Sequence, residues 1–347
     1  MTRIAPYGSW HSPITAKIAA QAAISFSDLH WDNDDLYWLE YRPSDGGRGV
    51  LICQRETGAR AELTPPGFSV RSTVHEYGGG AFAVRDRTVF FVNSSDQRVY
   101  RQDFAEKPVP ITPNNSYRYA DLTIDIRRRR LIAIQEDHSA PGEAVNTIAG
   151  IPMNAGPLGT LISGNDFYSS PRISPNGDQL AYLTWNHPNM PWDGCELHLC
   201  ELRADGSLGP GRRVAGGWDE AIFQPEWSPG GALHFVSDRT GWWNLYKWTG
   251  EAAVPLCPME ADFGRAMWLF GESTYGFAPD GRILCCYTEQ GLDHLAWLNS
   301  DAGSLEAITC PYTRIDFLRC GPRQAAFVGG APGLPTAIVT VDLQTGR

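Results

Sequence analysis

A chain of 347 residues, 42% of them hydrophobic, can bury a sizeable core, which excludes a disordered polypeptide and points to one large or two ordinary domains. A formal charge of −10 provides no diffuse positive field, so phosphate backbones and anionic lipid are poor partners: the expectation is no nucleic acid and no membrane surface. The eight cysteines form no C-x-x-C pair and several stand inside apolar runs, a pattern of reduced core thiols rather than of disulfides or zinc.

In chain order, "MTRIAPYGSW" lacks the apolar region of a secretory signal, and no stretch approaches the ~18 apolar residues of a spanning helix, so a cytoplasmic location is expected. "SPITAKIAAQAA" (12–23) is the one segment that reads as a short helix, with Ser12 as N-cap and Pro13 at the first helical position. "WDNDDLYWLEY" (31–41) then starts a series of units in which a turn precedes an apolar run. Its Asp32-Asn33-Asp34-Asp35 lacks the Gly and closing Glu of a calcium loop and reads as that turn.

"VHEYGGGAF" (74–82) is the most unusual stretch. Three glycines in a row are unfavourable in a strand unless the backbone approaches something closely or bulges, which places the segment near an axis or a ligand. Glu76 could hold a cationic group there; alternatively His75 and Glu76 satisfy backbone groups at a sheet edge, and the sequence leaves both readings open. Further units follow at "AVRDRTVFFV" (83–92) and "DIRRRRLIAI" (125–134), where Arg127 to Arg130 occupy a hairpin turn and read as an exposed turn rather than a nucleic-acid patch.

The repeat is clearest in "SPNGDQLAYL" (174–183), "SPGGALHFV" (228–236) and "APDGRILCCY" (278–287), about fifty residues apart, with a weaker last copy, "RCGPRQAAFV" (319–328). Pro presets φ for the first corner and Gly supplies a positive φ for the reversal. Each unit continues with a second short run, such as "CELHLCEL" (195–202) or "WNLYKW" (243–248), so the runs are strands joined by hairpins. In "LAYL" and "LCCY" neither alternate position is charged, so both strand faces expect burial. Seven units of about forty to fifty residues, each a four-stranded antiparallel sheet, describe an all-β, seven-bladed β-propeller occupying residues 1–347 as a single domain.

Between the repeats, "WNHPNMPWDGCEL" (185–197) is a connection much longer than the usual hairpin loop of about two to five residues. Met190, Pro191 and Trp192 give an adaptable apolar surface with the charge of Asp193 beside it, suited to a peptide or another domain; the competing reading is a loop folded over its own blade. No G-x-S-x-G elbow occurs, and Ser273, in "GESTYG" (271–276), has the wrong spacing for a nucleophile. His187 and His294 lack metal-ligand spacing and read as solvated strand-end residues, so no metal and no cofactor is expected.

"YGSWHSPITA" (7–16), "VHEYGGGAF" (74–82), "SPRISPNGDQLAYLTWNHPNMPWDGCELHL" (170–199), "PEWSPGGALHFVSDRTGWWNLY" (225–246) and "GESTYGFAPDGR" (271–282) together resemble the N-terminal propeller of the prolyl oligopeptidase (S9) serine peptidases, in particular the acylaminoacyl-peptidase and dipeptidyl-aminopeptidase-like branch. The resemblance implies a propeller seated over a C-terminal α/β-hydrolase domain, whose Ser, Asp and His would lie beyond residue 347 and are absent from this chain. On that reading the chain alone is not an enzyme. It gates the access of short peptides and orients them, with Glu76, Tyr77, Trp192 and Asp193 as substrate-facing candidates. The implied partners are the hydrolase domain and the peptide, with homo-oligomer formation left open. The alternative is a free-standing propeller of the TolB or WD40 kind serving as a protein-interaction platform.

Overall fold

The computed structural model describes residues 4–346 apart from 11, 17, 19–22 and 105. Seven antiparallel sheets follow one another along the chain as blades 1 to 7, spanning 25–62, 82–110, 117–162, 167–216, 222–255, 275–308 and 314–342. In six of the seven neighbouring pairs of blades the first strands pack against one another, which places them innermost around a common axis. Blades 1 to 6 have four strands; blade 7 has three among the described residues, where the sequence led to an expectation of four. Of the helix expected over 12–23, residues 17 and 19–22 lie outside the described residues; Ser12 Oγ accepts the Ile14 N–H at 3.1 Å at its start.

The burial of both strand faces follows from the ring. Strand Gln179–Trp185 is buried at every position after its first, and strand Arg130–Asp137 at all but its two ends. Between every pair of adjacent blades lies one apolar cluster, seven in all, with Phe235 and Leu197 at the 4/5 interface and Phe327 and Leu284 at the 6/7 interface. Each fully buried side chain of this kind contributes about 1.5–3 kcal/mol, so the clusters supply the cohesion between sheets that share no ladder hydrogen bonds.

All seven units recognised in the sequence mark one structural place, the hairpin between the first and second strands of a blade. In three of them the Gly N–H closes the turn onto the carbonyl three residues back: Gly177 to Ser174 at 2.7 Å, Gly231 to Ser228 at 2.9 Å and Gly281 to Ala278 at 2.9 Å. Arg129, with φ +51°, takes the same role in blade 3. The expectation of an exposed turn at 127–130 holds for Arg127 and Arg129, whereas Arg128 and Arg130 are half-buried. Arg128 donates to the carbonyls of Gly177, Leu202 and Arg203 and Arg130 to that of Gly206, tying blade 3 to blade 4.

Six of the seven blades also carry, in the inner strand or just before it, a device that the repeat did not reveal. Asp28, Gly80, Asp121, Ser170, Gln224 and Phe317 all have φ between +47° and +55° at the corresponding point of six blades, in most cases beside a register shift. Three of these residues turn a side chain to the next blade: Asp28 accepts the Ala81 N–H at 3.0 Å, Asp121 the Ser170 N–H at 2.6 Å and Gln224 the Thr274 N–H at 2.8 Å. Asp, Asn and Gly tolerate this left-handed backbone best, which suits two aspartates and a glycine at these points.

Candidate functional site

Propeller topology sorts the loops. Hairpins between first and second strands lie on one face; connections between blades, and those between second and third strands, lie on the other. Segments 63–81, 138–144, 163–166, 186–195, 217–221, 238–243 and 256–274 therefore share one face, although up to about two hundred residues separate them in sequence. The ring's exposed aromatics among the described residues, Tyr77, Trp218, Trp242 and Trp268, are all on that face.

Two of these segments meet on the axis. Phe270 N–H donates to the Gly78 carbonyl at 2.9 Å, and Gly79 pairs in parallel with Phe270. The segments lead into blades 2 and 6, which are not neighbours in the ring, so this contact crosses the central channel at this face. A Cβ on Gly79 would stand 2.3 Å from the Phe270 carbonyl oxygen, and one on Gly78 would stand 2.1 Å from that of Ser72. The close backbone approach expected from the three glycines is thus present. Beneath the crossing, Asp28, Asp121, Arg172, Glu226 and Arg319 line a cavity of about 250 Å³, where Arg172 pairs with Asp121 at 3.0 Å.

Beside the crossing lies an apolar slot of about 290 Å³, walled by Tyr77, Trp192 and Trp268 with Met190, Met267 and Phe270. The Trp192 and Trp268 rings are 4.4 Å apart, and Tyr77 meets Trp268 edge-on at 5.2 Å. The slot continues, past His75, Glu76 and Phe167, into a polar cavity of about 650 Å³. There four carboxylates, Glu76, Glu136, Glu143 and Asp166, face one guanidinium, Arg118. Arg118 lies 3.0 Å from Glu76 and 3.9 Å from Glu136, while His138 and His187 pair with Glu136 and Glu143 at 2.9 and 3.0 Å.

His75 divides the two compartments. Its backbone, at φ +52°, is held by Glu136, which accepts the His75 N–H at 2.7 Å. Its ring is packed among Phe167, Trp185 and Phe270 at 4.9–5.5 Å, and burial pushes its pKa down against the opposing pull of Glu136, so the imidazole is neutral at pH 7. Neither side chain serves a backbone group at the blade edge: His75 Nε2 has no hydrogen-bond partner among the described residues, and exposed Glu76 pairs with Arg118 in the cavity.

Of the candidates named from sequence, Glu76, Tyr77 and Trp192 come together on this wall. Asp193 serves its own loop, its carboxylate accepting the Met190 N–H at 2.9 Å while remaining exposed. Nor is His187 merely solvated, since it pairs with Glu143 and meets Phe167 edge-on at 5.0 Å. Ser273 is buried with its Oγ donating to the Leu318 carbonyl at 2.8 Å, a tie between blades 6 and 7. Sequence reasoning missed Arg118, Glu136, Glu143, Asp166 and Trp268. The length of the strand-free connection 256–274 was the available sign for the last.

No family model matches the chain. Dipeptidyl-peptidase 5 of Aspergillus fumigatus is 30% identical over 117 residues, which are 33% of this chain and 15% of that protein. A puromycin-hydrolysing peptidase of Mycobacterium tuberculosis superposes with a TM-score of 0.92 at 34% identity, over 99% of this chain and 55% of the other. A puromycin hydrolase superposes with a TM-score of 0.93 at 31% identity, over 100% of this chain and 56% of that one. The chain is a seven-bladed propeller that resembles the propeller regions of S9-type peptidases. It spans about half the length of these solved relatives and resembles their N-terminal domain. An oligogalacturonate lyase of Vibrio parahaemolyticus, 13% identical with a TM-score of 0.61, shares the fold alone. Among the described residues no helix is long and apolar enough to cross a membrane.

Proposed function

We propose that this propeller gates and orients short peptides for an α/β-hydrolase catalytic domain of the same protein, receiving the peptide's free amino terminus in the acidic cavity and an apolar side chain in the aromatic slot. The observation that carries this reading is the adjacency of the two compartments through His75, Glu76 and Phe167 on the one face where exposed aromatics collect. An ammonium group among Glu76, Glu136 and Asp166 gains charge-assisted hydrogen bonds in a partly dry setting, whereas an acylated terminus presents nothing for those carboxylates to accept beyond one amide N–H. Because the Gly79–Phe270 pairing crosses the channel at this face, size selection rests with the face loops rather than with passage along the axis. The chemical step belongs to the catalytic domain; this chain supplies position and exclusion.

The test is calorimetric titration of the chain with a short peptide bearing an N-terminal aromatic residue, free and N-acetylated. Binding of the free form, weakened about tenfold by acetylation, by Glu76→Gln and by Trp268→Ala, is the expected result. Equal affinity for both forms, or indifference to both substitutions, would remove the proposal. It would then leave the interaction-platform reading.

A further inference from the structure

The segment that carries Trp268 and Phe270 is pinned at its C-terminal end by hydrogen bonds to other blades. Phe270 bonds to Gly78 across the axis, the Gly271 carbonyl accepts from Arg319 at 2.6 Å, and the Ser273 carbonyl accepts the Leu318 N–H at 3.1 Å. Glu272 sits between these pins, and its Oε2 is buried without a hydrogen-bond partner among the described residues. The charged groups around it come from three elements: Arg265 on its own segment; Arg314, Asp316 and Arg319 on the blade 7 inner strand; and Asp293 on blade 6.

The cations there are already committed. Arg265 is ion-paired with Asp316, donates to the Ile315 carbonyl at 3.1 Å and lies 4.0 Å from Asp293; Arg314 pairs with Asp316 at 2.9 Å; Arg319 is spent on carbonyl groups. The neighbouring Cys286 thiol is pushed far up by burial and stays neutral. An ionised Glu272 would therefore bring a third carboxylate to a buried site where Asp316 and Asp293 already engage Arg265 and Arg314.

We infer that Glu272 is a protonation-controlled latch on segment 266–272, holding the slot wall and the cross-axis junction firm when its carboxyl is neutral and loosening them when it ionises. This concerns regulation of the site proposed above and rests on that reading for its biological meaning, though its physical content needs no bound peptide. Burial, opposed by Arg265, raises the Glu272 pKa from an ordinary 4.5 to about 7. With the folded value above the unfolded one, the stabilisation is fully present below 4.5 and is lost as pH rises through about 7, which places the switch in the physiological range.

Amide hydrogen exchange of peptides covering 263–276, corrected for the intrinsic rate and measured at pH 6 and 8, tests the latch directly. Wild-type protection is expected to fall about tenfold at the higher pH while strand Asn244–Trp248 holds steady. Glu272→Gln, which keeps the shape of the side chain, should abolish the difference. Asp316→Asn should shrink it by freeing Arg265 and Arg314 to pair with Glu272. A pH-independent wild type, or an unaltered tenfold change in Glu272→Gln, overturns the inference. Failure of peptide binding with the pH effect intact would instead sink only the functional proposal.

Discussion

Gly79 holds φ at +93° with its backbone against the Phe270 carbonyl, so both its missing side chain and its left-handed conformation are in use. Gly79→Ala must push the two strands apart on the axis and strain its own backbone; a loss of about 2–4 kcal/mol is expected from overpacking and strain together, read as a lower urea midpoint at unchanged slope. The same change at Gly281, where nothing lies within 4 Å of the added Cβ, leaves only the backbone strain at φ +88° and should destabilise by about 1 kcal/mol. The contrast separates a glycine needed for contact from one needed for turning. His75 and Glu76, also at positive φ, pay the strain that the glycines avoid, and they do so at the wall shared by the two cavities.

Among the elements, the inner strands bind the ring together through their bulges. Asp121 is 3% exposed, accepts the Ser170 N–H and pairs with Arg172, which is itself well enclosed at the channel wall. Asp121→Ala would leave that guanidinium without its nearest carboxylate, Glu226 being 3.9 Å away, and should lower stability by about 3–5 kcal/mol in chemical denaturation. Asp121→Asn keeps an acceptor for Ser170 and is expected to lose less. The turns behave differently. Pro-Asn-Gly, Pro-Gly-Gly and Pro-Asp-Gly solve the reversal in blades 4 to 6, Asp86-Arg87 at φ +50° and +62° solve it in blade 2, and Arg129 does so in blade 3. One geometric requirement met by several local chemistries explains why three copies were obvious in the sequence and four were faint.

At the scale of the molecule, the ring has one unequal joint. Blades 1 and 7 share no strand among the described residues, and their apolar cluster is the smallest of the seven, with blade 7 contributing only Ala326 and Val328 to its buried members. Trp31 Nε1–H donates to the Arg319 carbonyl at 3.3 Å, and exposed Arg323 pairs with Asp34 and Glu56 across the joint. Exposed ion pairs of this kind add little. The ring is therefore expected to open first at this seam: in native-state hydrogen exchange, strands Ser25–Asp32 and Arg314–Cys320 should exchange through an opening of lower free energy than strand Leu233–Ser237 at the 4/5 interface. Uniform protection around the ring would contradict it.

The sequence by itself determined the blades. A turn, an apolar run buried on both faces and a second run are local patterns, and seven repetitions of them leave few arrangements other than a closed ring. It also pointed to the stretches 74–82 and 185–197, because three glycines in a strand and a long Trp-bearing loop are each locally unfavourable and so stand out. What only the tertiary structure decided is the site. Arg118, Glu136, Asp166 and Trp268 look ordinary within their own strands and loops, and they come together only because ring closure brings loops from non-adjacent blades onto one face. Charge in a cavity, and the crossing of Phe270 over Gly79, depend on distances between parts of the chain that no local pattern encodes.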